Sequence, residues 1–195
     1  MTAKPPRAFQ RMLSGRRLDL LDPSPLDIEI EDIAHGLSRV ARWNGQTQGP
    51  HAFSVAQHCV LVEAVAARFK PGLGWTGRLS ALLHDSAEYV IGDLISPFKA
   101  AVGLDYKAFE NRLLGAIHIR FGLKPQPEAA LAALLKKADR AAAYLEATRL
   151  AGFGASDADK FFGTPKGLDD LDLEPLSPDQ AKAAYLLRFS DLIAV

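Results

Sequence analysis

Three apolar stretches of the sequence each contain residues of the types that bind metal ions. His58 lies in VAQHCVL, the pair His84-Asp85 follows LSALL, and Asp139 lies in LLKKADRA. Ionisable side chains are costly to bury without a counter-charge, and a divalent cation would supply one. Histidine together with carboxylates suits a borderline or hard divalent cation that keeps positions open for water and a substrate oxygen.

A third acidic residue follows the His84-Asp85 pair at helical spacing. Adjacent helical residues point about 100° apart, so one ion at the edge of a helix could accept ligands from both. Glu88 comes four residues after His84 and is predicted to share its helix face. From there its carboxylate could orient or deprotonate a water molecule.

Each of these residues also has an ordinary alternative role. His58 alone could be a core histidine with its hydrogen bonds satisfied, and Glu88 could be an exposed helix charge. Asp139 beside Arg140 could be half of a surface ion pair. The metal-site hypothesis depends on their joint occurrence on three separate predicted helices.

Helices are the elements that must position these residues. Apolar residues recur at steps of three and four from Ile30, as in an amphipathic helix. We predict helices from about Ile30 to Val40, from Ser54 to before Pro71, from Thr76 to Val90, from Asp105 to Phe121, from Pro127 to Leu150, and after a capping box at Ser177-Pro178-Asp179-Gln180. No alternating β pattern occurs, and residues 152–176 are predicted to be a loop. The sequence therefore predicts an all-α fold.

Length and composition limit the organisation and the partners of the chain. Its 195 residues suit a single domain, which we place at 26–195 after an extended, proline-containing arm at 1–25. The 23 basic and 23 acidic residues cancel, which argues against binding a nucleic-acid polymer.

Other classes are disfavoured by single features of the sequence. One cysteine, Cys59, excludes a disulfide framework and a cysteine-rich zinc site. No apolar run approaches the roughly 18 residues of a membrane span, and the basic N-terminus is not followed by the apolar stretch of a signal peptide. We therefore expect a cytoplasmic protein that does not bind a membrane.

The order of several short motifs resembles the HD superfamily of metal-dependent phosphohydrolases. The motifs are Arg42-Trp43, SVAQH ending at His58, LHDSAE ending at Glu88, GDLISPFK ending at Lys99, YKAFE starting at Tyr106, and KAD ending at Asp139. The string looks like the branch of bacterial 5'-deoxynucleotidases and phage deoxyadenosine triphosphate triphosphohydrolases. The similarity covers roughly residues 30 to 150.

This resemblance implies a helical bundle with a metal site between core helices. It implies that one divalent cation is bound by four side chains, which are His58, His84, Asp85 and Asp139. Such ligands permit manganese, cobalt, iron, zinc, nickel or magnesium.

The resemblance also implies roles around the attacked phosphate. Glu88 and Asp93 would be the catalytic carboxylates. Arg42 would contact phosphate, and Trp43 would contact the sugar or base. Lys99 could contact distal phosphates or remain a solvated lysine. The family pattern often has a glutamate before the first histidine, where this chain has Gln57.

The resemblance favours a 5'-deoxynucleotidase that hydrolyses deoxynucleoside monophosphates and forms a homodimer. One alternative is a triphosphohydrolase that releases tripolyphosphate from deoxynucleoside triphosphates, since both reactions attack the same α-phosphorus. Another is a metal-bound nucleotide sensor without turnover, which would not need Glu88 and Asp93. A cyclic-dinucleotide phosphodiesterase is disfavoured because the chain lacks a Gly-Tyr-Pro tripeptide.

Overall fold

A computed structural model describes residues 8–94 and 106–194. Over these residues the regular structure consists of α-helices, two short 3-10 helices and one two-stranded sheet, which confirms the all-α fold class. The helices are α1 (Ile30–Leu37), α2 (Val55–Phe69), α3 (Trp75–Leu82), α4 (Glu88–Ile91), α5 (Tyr106–Arg120), α6 (Ala129–Arg149), α7 (Ala155–Phe162) and α8 (Pro178–Ile193). None of these helices is both long and apolar enough to cross a lipid bilayer.

The N-terminal stretch contains a short hairpin that the sequence did not predict. Strand β1 (Phe9–Arg11) pairs antiparallel with β2 (Arg17–Asp19). Leu18 of β2 is fully buried in the helical core, so the hairpin packs against the helices. Strands of three residues are too short to show an alternating pattern, which is why the hairpin was missed.

Helix α2 packs against α6, α3 and α8. It begins as predicted after Ser54, whose side chain accepts a hydrogen bond from the backbone N–H of Gln57. Cys59 of α2 belongs to one buried apolar cluster, whereas Val62 and Val65 belong to a second. Because α2 contributes to both clusters, His58 on its first turn is fully buried between neighbouring helices.

The segment predicted as one helix from Thr76 to Val90 is two helices, so this prediction was wrong. Helix α3 ends at Leu82, residues 83–87 form turns, and α4 begins at Glu88. The Ser86 hydroxyl lies 3.1 Å from the hydroxyl of Tyr185 in α8, which also donates to the Leu82 carbonyl. These hydrogen bonds tie the turn to α8, and a local apolar pattern cannot report such a tertiary contact.

The region 152–176 also differs from its prediction, because α7 forms inside it. Helix α7 has only eight residues, of which Ala158 alone is buried, so few apolar positions were available to predict it. Helix α8 begins as predicted, with a complete capping box between Ser177 and Gln180.

Helices α1 and α4 approach closely at Gly36. A Cβ atom at this position would lie 2.9 Å from the Tyr89 carbonyl oxygen, closer than real Cβ contacts allow. The glycine therefore lets α1 pack directly against the backbone of α4, the short helix that begins with Glu88.

Candidate metal centre

Two imidazoles and two carboxylates converge where α2, α6 and the turn between α3 and α4 meet. The His58 Nε2 lies 3.2 Å from an Asp139 oxygen and 3.5 Å from an Asp85 oxygen. The His84 Nε2 lies 3.2 Å from the same Asp85 oxygen. Ligand atoms of His58, His84 and Asp139 all lie within 4.8 Å of one another, so these three residues could hold a metal ion.

The hydrogen bonds of the two imidazoles leave their Nε2 atoms facing the centre of the cluster. The His84 Nδ1 donates to the Ala81 carbonyl at 2.8 Å, and the His58 Nδ1 donates to Glu146 at 2.5 Å. Protons on both Nδ1 atoms leave the Nε2 lone pairs directed at the centre in the neutral tautomers. Both Nε2 atoms are buried, and neither makes a hydrogen bond with another described residue. Metal-binding histidines are held in this way.

The carboxylates of the cluster raise the pKa values of both imidazoles. Burial and the charge of Arg42 lower the pKa of His58, but Glu146, Asp139 and Asp85 raise it well above its ordinary value. Burial likewise opposes the charged form of His84, yet the Asp85 carboxylate raises its pKa well above the ordinary value. Without a divalent cation, both imidazoles are therefore protonated, and their positive charges compensate the carboxylates.

The carboxylates of the cluster are correspondingly acidic. Burial would raise the pKa of Asp85 and of Asp139, but the neighbouring imidazoles lower both values. Both side chains are therefore ionised at neutral pH, which is the form that binds a metal.

Sequence reasoning missed Glu146, which lies next to this cluster. It is fully buried and comes two helical turns after Asp139, on the same face of α6. Burial would raise the pKa of Glu146, but the charges of His58 and Arg42 lower it to about 2. An acidic residue seven positions after a predicted ligand, in an alanine-rich helix, was the available signal.

A tight turn brings Arg42 and Trp43 to Glu146. The Arg42 Nε lies 3.2 Å from a Glu146 oxygen, and its Nη1 donates to Asp93 at 2.8 Å. The Trp43 Nε1 donates to the same Glu146 oxygen at 2.8 Å. Trp43 and Asn44 have φ values of 56° and 50°, a left-handed conformation that is uncommon for residues other than glycine.

The indole of Trp43 contacts two aromatic rings from the C-terminal half of the chain. Its ring centroid lies 5.5 Å from that of Phe153 and 6.0 Å from that of Phe162. Phe162 ends α7, the helix that the sequence did not predict, so this helix contributes to the surroundings of the site.

Glu88 and Tyr106 are two further ionisable residues with buried or charged surroundings. Glu88 is buried, and its backbone N–H donates to the Asp85 carbonyl at 2.9 Å. The proposed shared helix face with His84 is wrong, because the turn separates the two residues. Burial raises the pKa of Tyr106, as do the charges of Glu110, Glu88 and Asp93.

Lys99 is the last candidate, and two other histidines and Gln57 have ordinary structural surroundings. Lys99 lies outside the described residues. His51 is exposed, and the buried His118 has its Nδ1 3.2 Å from the Pro125 carbonyl, as a core histidine would. Gln57 hydrogen bonds to the backbone at Glu174 and Leu176, so it fixes the segment before α8.

Comparison with known proteins finds a relative that is similar over nearly the whole chain. An uncharacterized protein of Rhodobacter capsulatus is 53% identical over 192 residues, which cover 96% of each chain. The two chains belong to one family. The name of the Rhodobacter protein states no activity, so the similarity assigns no activity to this chain. No protein-family model matches the sequence.

Proposed function

We propose that the protein is a metal-dependent phosphohydrolase of the HD type that acts on deoxynucleoside 5'-monophosphates. The convergence of His58, His84, Asp85 and Asp139 carries this proposal, because these residues come from three separate elements. The order of the motifs from Arg42 to Asp139 supports the same reaction class.

The donor set fits a divalent cation. His58 and His84 would bind through Nε2, since their Nδ1 atoms are engaged, and Asp85 and Asp139 would supply oxygen ligands. A bound cation would reduce the repulsion between a phosphate ester and its nucleophile and would lower the pKa of a water molecule.

The two further carboxylates have separate tasks in this proposal. Water attacks the phosphorus, and Glu88 accepts a proton from that water. The bond from phosphorus to the 5' oxygen breaks, and the leaving oxygen takes up a proton. The leaving oxygen thus receives the proton that Glu88 accepted, and Asp93, whose carboxylate is held in place by the ion pair with Arg42, relays it.

Arg42 and Trp43 are proposed to bind the nucleotide. The hydrogen bonds among the described residues use Nε and Nη1 of Arg42 but not Nη2, which is the group assigned to a phosphate oxygen. The indole of Trp43 offers an aromatic surface to the sugar or base.

A panel of substrates tests the proposal. Manganese-loaded protein is incubated with deoxy- and ribonucleoside mono- and triphosphates, and the products are separated by chromatography. Inorganic phosphate from deoxynucleoside monophosphates supports the proposal. Intact tripolyphosphate would favour the triphosphohydrolase instead. No product from any nucleotide, with nucleotide binding retained, would favour a sensor.

A further inference from the structure

We propose that Glu146 is a positioning residue that joins the metal ligand His58 to the nucleotide-binding pair Arg42 and Trp43. The inference rests on the proposed function, because it assigns Glu146 a task within the same site. It concerns a residue that lies outside every motif of the family resemblance described above.

The two oxygens of Glu146 divide its contacts between the two halves of the site. One oxygen accepts from the His58 Nδ1, and the other accepts from the Arg42 Nε and the Trp43 Nε1. The carboxylate is fully buried, so these three donors replace its water shell. A shift of this one group must therefore move both the ligand and the nucleotide-binding turn.

The contact with His58 orients a metal ligand. Because Oε1 accepts from Nδ1, it fixes the ring so that Nε2 faces Asp85 and Asp139. Loss of such a supporting carboxylate typically weakens metal affinity by about 10- to 100-fold.

The contact with Arg42 and Trp43 fixes the other half of the site. These residues occupy a turn in which Trp43 has a φ of 56°, a conformation that needs support from its surroundings. With both halves fixed by one carboxylate, metal binding and nucleotide binding are coupled, and each strengthens the other.

Glu146→Gln tests this role with little change in shape. A glutamine has one acceptor and one donor end, so it cannot accept from His58 on one side and from Arg42 and Trp43 on the other. We expect about 10- to 100-fold weaker Mn²⁺ binding by calorimetry, an altered visible spectrum of the Co²⁺ form, and a higher KM for a deoxynucleoside monophosphate.

Glu63→Gln is the matched control. Glu63 is also a buried glutamate on a central helix, but its partners are Arg78 and Arg188. We expect this variant to unfold at a lower temperature while its Mn²⁺ affinity and Co²⁺ spectrum stay as in the wild type.

The outcomes separate this inference from the proposed function. Wild-type Mn²⁺ affinity and an unchanged Co²⁺ spectrum in Glu146→Gln would overturn the role of Glu146 even if the protein hydrolyses nucleotides. Weakened Mn²⁺ binding in Glu146→Gln, with no hydrolysis by the wild type, would support the positioning of His58 and contradict the phosphohydrolase. Absence of Mn²⁺ binding by the wild type would overturn both.

A milder variant applies if Glu146→Gln does not fold. Trp43→Phe removes the Nε1 donor to Glu146 but keeps an aromatic ring against Phe153 and Phe162. We expect a smaller loss of Mn²⁺ affinity together with a higher KM. An unchanged Mn²⁺ affinity would contradict the connection between the two halves.

Discussion

Two buried glutamates, Glu63 and Glu146, occupy different networks in this fold. Glu63 on α2 lies 2.5 Å from Nε of Arg78 in α3 and 2.8 Å from Nε of Arg188 in α8. Both partners are cations that only donate hydrogen bonds. This network joins α2, α3 and α8, and Arg188 extends it to Asp191 of α8, 3.6 Å away.

The Glu146 network continues beyond its first partners. His58 has a second nitrogen, which lies 3.2 Å from Asp139, and Arg42 has a second contact, with Asp93. A buried acid whose partners are all arginines therefore stabilises helix packing. A buried acid with an imidazole partner also orients whatever the second nitrogen binds.

The largest expected effect comes from removing a ligand at the centre. Asp85→Ala should lose both Mn²⁺ binding and hydrolysis, because the Asp85 carboxylate approaches both imidazoles. Calorimetry and product analysis measure the two losses. If the variant keeps wild-type Mn²⁺ affinity, Asp85 is not a ligand.

Glu88→Ala should reduce the rate of hydrolysis without reducing Mn²⁺ binding. We expect Mn²⁺ affinity to be retained and kcat to fall by about 10²- to 10⁴-fold, the usual contribution of a general acid or base. Steady-state kinetics on the manganese-loaded variant measure the change. A variant with full activity would remove Glu88 from the mechanism.

Arg188→Ala should affect stability without affecting the centre. It removes two of the hydrogen bonds to the buried Glu63 and should lower the free energy of unfolding by about 1.5–3 kcal/mol. Urea unfolding measures the loss, and Mn²⁺ affinity should not change. A matching loss of Mn²⁺ affinity would mean that the two networks are not independent.

A pH dependence of metal binding follows from the charges of the centre. Because the pKa values of His58 and His84 are raised when no cation is bound, their stabilising contribution is full below about pH 6.5 and is lost as the pH rises through the raised values. A metal ion needs the neutral imidazoles, so its affinity should rise with pH by up to about tenfold per unit for each proton released.

Thermal unfolding with Mn²⁺ or with a chelator measures this effect. The increase in Tm caused by Mn²⁺ should be larger at about pH 8 than at about pH 6. An increase that is independent of pH would contradict proton release from the imidazoles.

Local signals predicted the elements whose boundaries depend on nearby residues. Ser54 before α2 and the Ser177–Gln180 capping box before α8 are contacts within four residues, so the sequence displays them directly. The all-α class followed from such helices, as did the placement of His58 on a buried helix.

Long-range contacts account for the features that could not be predicted. The break at residues 83–87 is tied to Tyr185, about a hundred positions away, and Glu146 meets His58 across 88 positions. Neither contact leaves a periodic pattern in the chain. The motif order indicated the four side chains that converge, but not the carboxylate that supports them.

Anomalous diffraction from crystals grown with Mn²⁺ tests the central claim most directly. The account predicts a single manganese peak within coordination distance of Nε2 of both His58 and His84 and of oxygens of Asp85 and Asp139. A peak elsewhere, or none at this centre at saturating Mn²⁺, would contradict it.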